Sequence, residues 1–230
     1  MLPDLRRPPT LFGVRLASVG LLSAGTLGQL AWTLEFFLDT GLSPVHAATV
    51  DLAASDQPYT SVFRTAEILT GVAFVLAVPP LLRLAPVHRA ARSTVVAVGV
   101  LGLLCVAKGA FPLDCAVSAS EACRERAGYS TGHVVNLVVS LLFGLLYVVG
   151  PMTVLLWWHG RWRVIPVLSV LVNTVALGGL VLAGWLGPGH FAGLAARGQL
   201  LAGTALLSCG VAYLVSITRD IRPRPRDPVS

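Results

Sequence analysis

The sequence predicts an all-α fold, a polytopic membrane bundle of six transmembrane helices with both termini in the cytoplasm, and three observations predict it. Of 230 residues, 55% are hydrophobic and 12% are charged, against about 25% charged in an ordinary soluble domain. The apolar residues fall into long runs almost free of charge, the mark of membrane-spanning helices. The arginines lie in the breaks between runs, mostly on alternate breaks, and that asymmetry orients the chain.

The runs cover roughly 11–34, 64–84, 94–113, 132–158, 164–186 and 199–218. Each is near or above the ~20 residues that cross ~30 Å of hydrocarbon. They must be helical, because lipid offers nothing to an unpaired backbone group. The first run follows Arg6 and Arg7 and imitates a secretory signal, but it has no clear small-residue cleavage site. It is expected to be an uncleaved helix. The second opens at Arg64 and carries Glu67 about one turn in. The third contains Lys108, the single lysine of the chain. The fourth is long, and Gly150-Pro151 is expected to kink or tilt it. Trp157, Trp158 and Trp162 stand before the fifth, at the inner interface that indoles favour. The domain organisation is then a cytoplasmic segment 1–10, a six-helix domain 11–218 and a basic cytoplasmic tail 219–230. Small residues at helical spacing, Gly20, Ala24 and Gly28 in the first run and Gly179 with Ala183 in the fifth, are expected to bring helices close.

Twelve arginines fall on the side holding both termini: Arg6, Arg7, Arg15, Arg83, Arg89, Arg92, Arg161, Arg163, Arg219, Arg222, Arg224 and Arg226. Four fall on the other: Arg64, Arg124, Arg126 and Arg197. Both ends are therefore expected inside. The net charge of +6 is spread over short segments rather than one soluble patch. That excludes nucleic acid as the expected partner and points to membrane lipids, the anionic inner leaflet above all. The outer side is acidic, holding Glu35, Asp39, Asp51, Asp56, Glu67, Asp114, Glu121 and Glu125.

The cysteines are of two kinds. Cys105 and Cys209 lie within runs as small apolar fillers. Cys115 and Cys123 flank the third break on the outer, oxidising side, so a disulfide is expected between them. Two cysteines without nearby histidine pairs make a poor metal site, and no metal or cofactor is expected. The first outer loop, about 35–63, is the longest, and Val45, Ala48, Leu52 and Ala53 suit one face of a short helix within it. A lid over a cavity and a packed cap both fit that pattern.

The chemistry-bearing residues gather near the outer boundary. Glu67, Lys108 and His133 come within roughly two turns of one depth at 1.5 Å rise per residue. Asp114 follows Pro112 at the end of the third run, and Asn136 shares the face of His133 at i+3. A charge within a span costs on the order of 3 kcal/mol or more, so Lys108 needs a carboxylate, either Glu67 or Asp114. Two readings stay open: an ion-paired clamp fixing three helices, or an outward-facing polar pocket for a lipid headgroup or small ligand, an ion or a proton. No Gly-x-Ser-x-Gly elbow, His-Glu-x-x-His pair or phosphate-binding glycine loop is present. A non-enzymatic binding or structural component of the membrane is therefore expected. The alternative is a small transporter or membrane-embedded enzyme using Lys108, Asp114, Glu67 and His133 as a relay.

The stretch Lys108-Gly-Ala-Phe-Pro-Leu-Asp114 and the following Tyr129-Ser-Thr-Gly-His133 carry a resemblance. With Ser55-Asp-Gln-Pro-Tyr59 and Phe63-Arg-Thr-Ala-Glu67 upstream, the chain resembles the domain of unknown function 998 family over about Leu11 to Thr218. The resemblance implies a six-span bacterial membrane protein with a Phe-Pro-x-Asp element after the third span. His133 directly follows Gly132, a departure from the family's Thr-Gly-x-x-His-like spacing, and the cysteine pair is an addition. An Ala/Val/Arg-rich composition also fits a high-GC bacterium.

Overall fold

The computed structural model describes residues 9–85, 88–187 and 190–219. The N-terminal Arg6 and Arg7 and the tail from residue 220 onwards, with Arg222, Arg224 and Arg226, lie outside the described residues. Among those described, the long elements are α-helices: α1 (Pro9–Gly28), α2 (Thr60–Leu84), α3 (Arg89–Ala110), α5 (Thr131–Leu155), α6 (Val164–Leu186) and α7 (Ala192–Arg219), with one turn of helix, α4 (Glu121–Arg124), between α3 and α5. Five of them (α2, α3, α5, α6 and α7) are long and apolar enough to cross a membrane.

Each long helix packs on its neighbour in the chain, and α7 returns to α1, so the six close a ring. The ring turns the usual soluble pattern inside out. Trp185 is 86% exposed on its rim, whereas His133 and Asn173 are fully buried. The interior is filled by Leu22, Phe74, Leu101, Cys105, Phe143, Tyr147 and Leu200. Close approach of α2 and α3 rests on a glycine pair: a Cβ on Gly71 would strike the Gly102 carbonyl, and one on Gly102 would strike the Gly71 carbonyl. On α1 the close approach falls on Gly25, against Phe74, and Gly28, against Thr70. Gly20 meets nothing and Ala24 is exposed, so the packed stripe of α1 runs Ser18, Leu22, Gly25, Gln29 and not through Gly20 and Ala24. Gly179 lies against Ala195 and Phe191, and Ala183 is buried.

The ends of the helices differ from the hydropathy boundaries for identifiable reasons. Helix α1 stops at Gly28, not near residue 34, because Gln29 turns inward and the chain then coils through a 3₁₀ turn, Ala31–Phe36. Helix α2 begins at Thr60 and takes in Arg64, whose Nε donates to the Gly109 carbonyl at 2.9 Å. Helix α3 stops at Ala110 because Phe111 precedes Pro112 and is pushed from helical to extended backbone. Helix α5 continues past Pro151 to Leu155, although proline has no N–H to give to the Tyr147 carbonyl. Helix α7 starts at Ala192, seven residues earlier than the apolar run suggests, and so carries Arg197 inside it.

Over one end of the ring lies a cap made from the α1–α2 and α3–α5 connections. It is a packed layer, not an open lid. The 3₁₀ turn Thr49–Ala53 buries Leu52 and Ala53 against Phe63, with Trp32, Leu38, Leu42 and Tyr59 around them. Val45 stays exposed. Ser55 N–H donates to the Leu113 carbonyl at 2.8 Å, and Ala48 N–H to Ser118 Oγ at 2.8 Å. Cys115 and Cys123 are disulfide-bonded, closing a loop that contains Ser118 and starts two residues after Leu113.

Candidate functional site

The helices α2 and α3, held together by Gly71 and Gly102, set Glu67 facing Lys108. Lys108 Nζ donates to Glu67 Oε1 at 2.7 Å and lies 4.6 Å from the centre of the Phe143 ring. A buried ammonium is costly alone; the carboxylate and the ring face both compensate it. Beside the pair is a cavity of about 50 Å³, lined among others by Gln29, Trp32, Leu52, Glu67, Thr70 and Lys108. Three of the lining residues each keep a buried polar atom without a hydrogen-bond partner: Trp32 Nε1, Glu67 Oε2 and Thr70 Oγ1. Gln29 forms the floor: its Nε2 donates to Cys105 Sγ at 3.4 Å, and its Oε1 accepts from Tyr147 at 2.8 Å.

Asp114, His133 and Asn136 do not line this cavity. They splint the α3–α5 junction. The Asp114 carboxylate accepts from Ser130 N–H at 2.7 Å and from Ser130 Oγ at 2.6 Å. Ser130 Oγ in turn accepts from His133 N–H at 3.1 Å, capping α5. These Ser130 hydrogen bonds hold the Asp114 carboxyl below the usual carboxylate range. His133 Nδ1 accepts from the Asp114 backbone N–H at 3.0 Å, and its ring stacks on Tyr129 at 4.1 Å. The ring proton therefore belongs on Nε2, which is buried and unpartnered. Asn136 Nδ2 donates to the carbonyls of Lys108, at 3.1 Å, and Phe111, at 2.5 Å. Carbonyls at a helix C-terminus lack intrahelical donors, and Asn136 supplies one for α3.

Sequence reasoning does not pair Glu35 with Arg197. Arg197 Nε donates to Glu35 Oε1 at 2.7 Å and Nη2 to Oε2, while Nη1 donates to the carbonyls of Pro44 and Ala47 at 2.6 and 2.9 Å. Both residues are buried. The available signal is the helical continuation Phe191-Ala-Gly-Leu-Ala-Ala196, which places Arg197 in a helix and not in a loop. Asp51 is likewise buried under the cap, accepting from Ser118 Oγ, and desolvation pushes its carboxyl up to about 6. A second cavity, much larger and apolar, lies at the opposite end of the ring.

An all-helical ring with an apolar rim, polar groups inside and five spanning helices defines a multi-pass membrane protein. Residues 22–213 match the family model described as "Protein of unknown function (DUF998)", and the chain belongs to that family. No curated protein and no solved structure matches it.

Proposed function

We propose that this protein is a non-enzymatic binding component of a bacterial cell membrane, crossing it six times with both ends in the cytoplasm. Its ligand would be small and hydrogen-bonding, held under the outer cap by Glu67 and Lys108. Helix α1 supports the sixth crossing, since its 20 residues reach about 30 Å. The twelve-to-four arginine asymmetry supports the orientation.

The observation that carries the binding reading is the cavity with three unpartnered polar atoms. Buried polar groups almost always find a partner, and here three residues of one cavity wall each keep a buried polar atom without one: a donor, an acceptor and a hydroxyl. Volume narrows the occupant. A cavity of about 50 Å³ takes only a few water-sized bodies at roughly 10–15 Å³ of probe volume each. A lipid headgroup is too large; an ion with its water fits. A relay through all four ionisable residues has less support, because Asp114 and His133 stand outside the cavity.

The test separates structure from binding. Lys108→Met alone leaves the half-buried Glu67 uncompensated and is expected to lower the melting temperature in detergent. Glu67→Leu with Lys108→Met removes both charges and should restore most of the stability. On the binding reading that double variant folds but fails to complement a strain lacking the gene. Full complementation by a folded double variant overturns the reading.

A further inference from the structure

The cavity at the arginine-rich end has about 380 Å³. That falls within the roughly 300–1,000 Å³ of sites that hold small molecules. Its walls come from the ends of α2 and α3 and from the later halves of α5 and α7, and they are almost wholly apolar. Water has no partners in such a space, so an aqueous filling is disfavoured. The lining runs from Leu146 along α5 to Trp158 just past its end, and from Gly203 to Leu214 along α7. At 1.5 Å per residue either stretch is roughly 16 to 18 Å long. The hydrocarbon core is ~30 Å thick, so the cavity is about one leaflet deep.

Among the polar groups of the lining residues, one is buried without a partner and points to the kind of ligand. Trp158 is 5% exposed, lines the cavity, and its Nε1 is buried with no acceptor. The neighbouring Trp157 shows the contrast, since its Nε1 donates to Thr94 Oγ1 at 3.1 Å. A buried donor with no acceptor, on a residue that walls an apolar space, calls for an amphiphile with an oxygen at its head. The charge around the mouth sets the sign of that head. Arg83 and Arg92 sit beside lining residues on α2 and α3, Arg161 and Arg163 follow Trp158, and all four are exposed. Every acidic residue among the described residues lies toward the cap end or its loops.

We propose that this cavity holds the acyl chain of an anionic amphiphile, whose head oxygen accepts from Trp158 Nε1 while the surrounding arginines neutralise its charge. A free long-chain carboxylate and an anionic phospholipid share that chemistry. The site is separate from the polar cavity under the cap and stands whether or not the binding proposal there survives.

Gly210 supplies a clean probe. It lines the cavity, and a Cβ built on it meets nothing within 4 Å. Gly210→Leu therefore fills the space from a helical position where leucine is the better residue. The protein in a neutral detergent would be titrated with stearate, with phosphatidylglycerol and with phosphatidylcholine, counting bound molecules by native mass spectrometry. Saturable binding of one molecule is expected for stearate, for phosphatidylglycerol or for both, and the arm that saturates names the source. Gly210→Leu should abolish it. Trp158→Phe, which keeps the ring and removes the donor, should weaken it about tenfold. Equal binding of phosphatidylcholine, no saturable binding in any arm, or unchanged binding in both variants would overturn the proposal. Should Gly210→Leu fail to fold, an unchanged Trp158→Phe is by itself enough to do so.

Discussion

Asp51 shows how much a single buried carboxyl can be asked to tolerate. It sits under the cap with Ser118 Oγ as its donor, and burial raises it from 3.8 to about 6. A raised carboxyl binds its proton more tightly folded than unfolded, so stability falls as pH rises from about 4 through 6 and is lowest once the group is ionised. The cost at neutral pH is on the order of 3 kcal/mol. The cap should accordingly be tighter at pH 5 than at pH 7.5. Amide exchange over residues 44–56, corrected for intrinsic rates, should slow on acidification, and Asp51→Asn should remove that dependence. Persistence of the effect in Asp51→Asn would refute the assignment. Asp114 has the opposite sign: its carboxyl is held low by Ser130, so its contribution is present above about 3.8 and disappears only as pH falls through the lowered value. The two windows do not coincide. Much at this scale is legible in the residues: a lone lysine in an apolar run must have a carboxylate. Whether that is Glu67 or Asp114 is not legible. It depends on the rotation of α2 against α3, which the Gly71–Gly102 approach sets, and Asp114 is taken by Ser130.

At the scale of elements, run length finds the helices and misplaces their ends. Hydropathy cannot see Gln29 turn inward to Cys105 and Tyr147, and so it carries α1 into the cap. By the same blindness a charge reads as loop, and Arg197 is left outside α7 although the helix passes through it. The disulfide is legible because two cysteines flank one short break between apolar runs. The cap itself is held to α7 by Arg197, which gathers the Glu35 carboxylate and two loop carbonyls. Removing one partner of such a buried pair costs about 3–5 kcal/mol. Arg197→Met should therefore lower the melting temperature and speed exchange across residues 31–56 before the helices loosen. Glu35→Leu combined with Arg197→Met should recover most of the loss. An Arg197→Met protein as stable as the parent would mean that the pair does not anchor the cap.

For the whole molecule, short connections make α2 with α3, α5 with α6 and α6 with α7 antiparallel neighbours, and that much follows from the chain. Closure of α1 on α7 does not, because it is set by side-chain fit between the ends of the sequence. The two cavities are equally illegible. A void is what remains after helix spacing and side-chain volume are subtracted, and no local pattern records the difference. The proposed six crossings with both ends inside make a labelling prediction. Ser43→Cys, exposed on the cap, should react with a membrane-impermeant maleimide on intact cells, and Ser230→Cys only after lysis. Labelling of both on intact cells would break the six-span topology.

The distance along the chain between Glu35 and Arg197, 162 residues, has a consequence in time. A ribosome adds about 5–20 residues per second, so the carboxylate is made roughly 8–32 s before its guanidinium. Throughout that interval the α1–α2 connection lacks this anchor. The crown of this protein must therefore be the last part to set, after the final helix has been threaded, and chaperones or proteases at the membrane surface meet it unfinished.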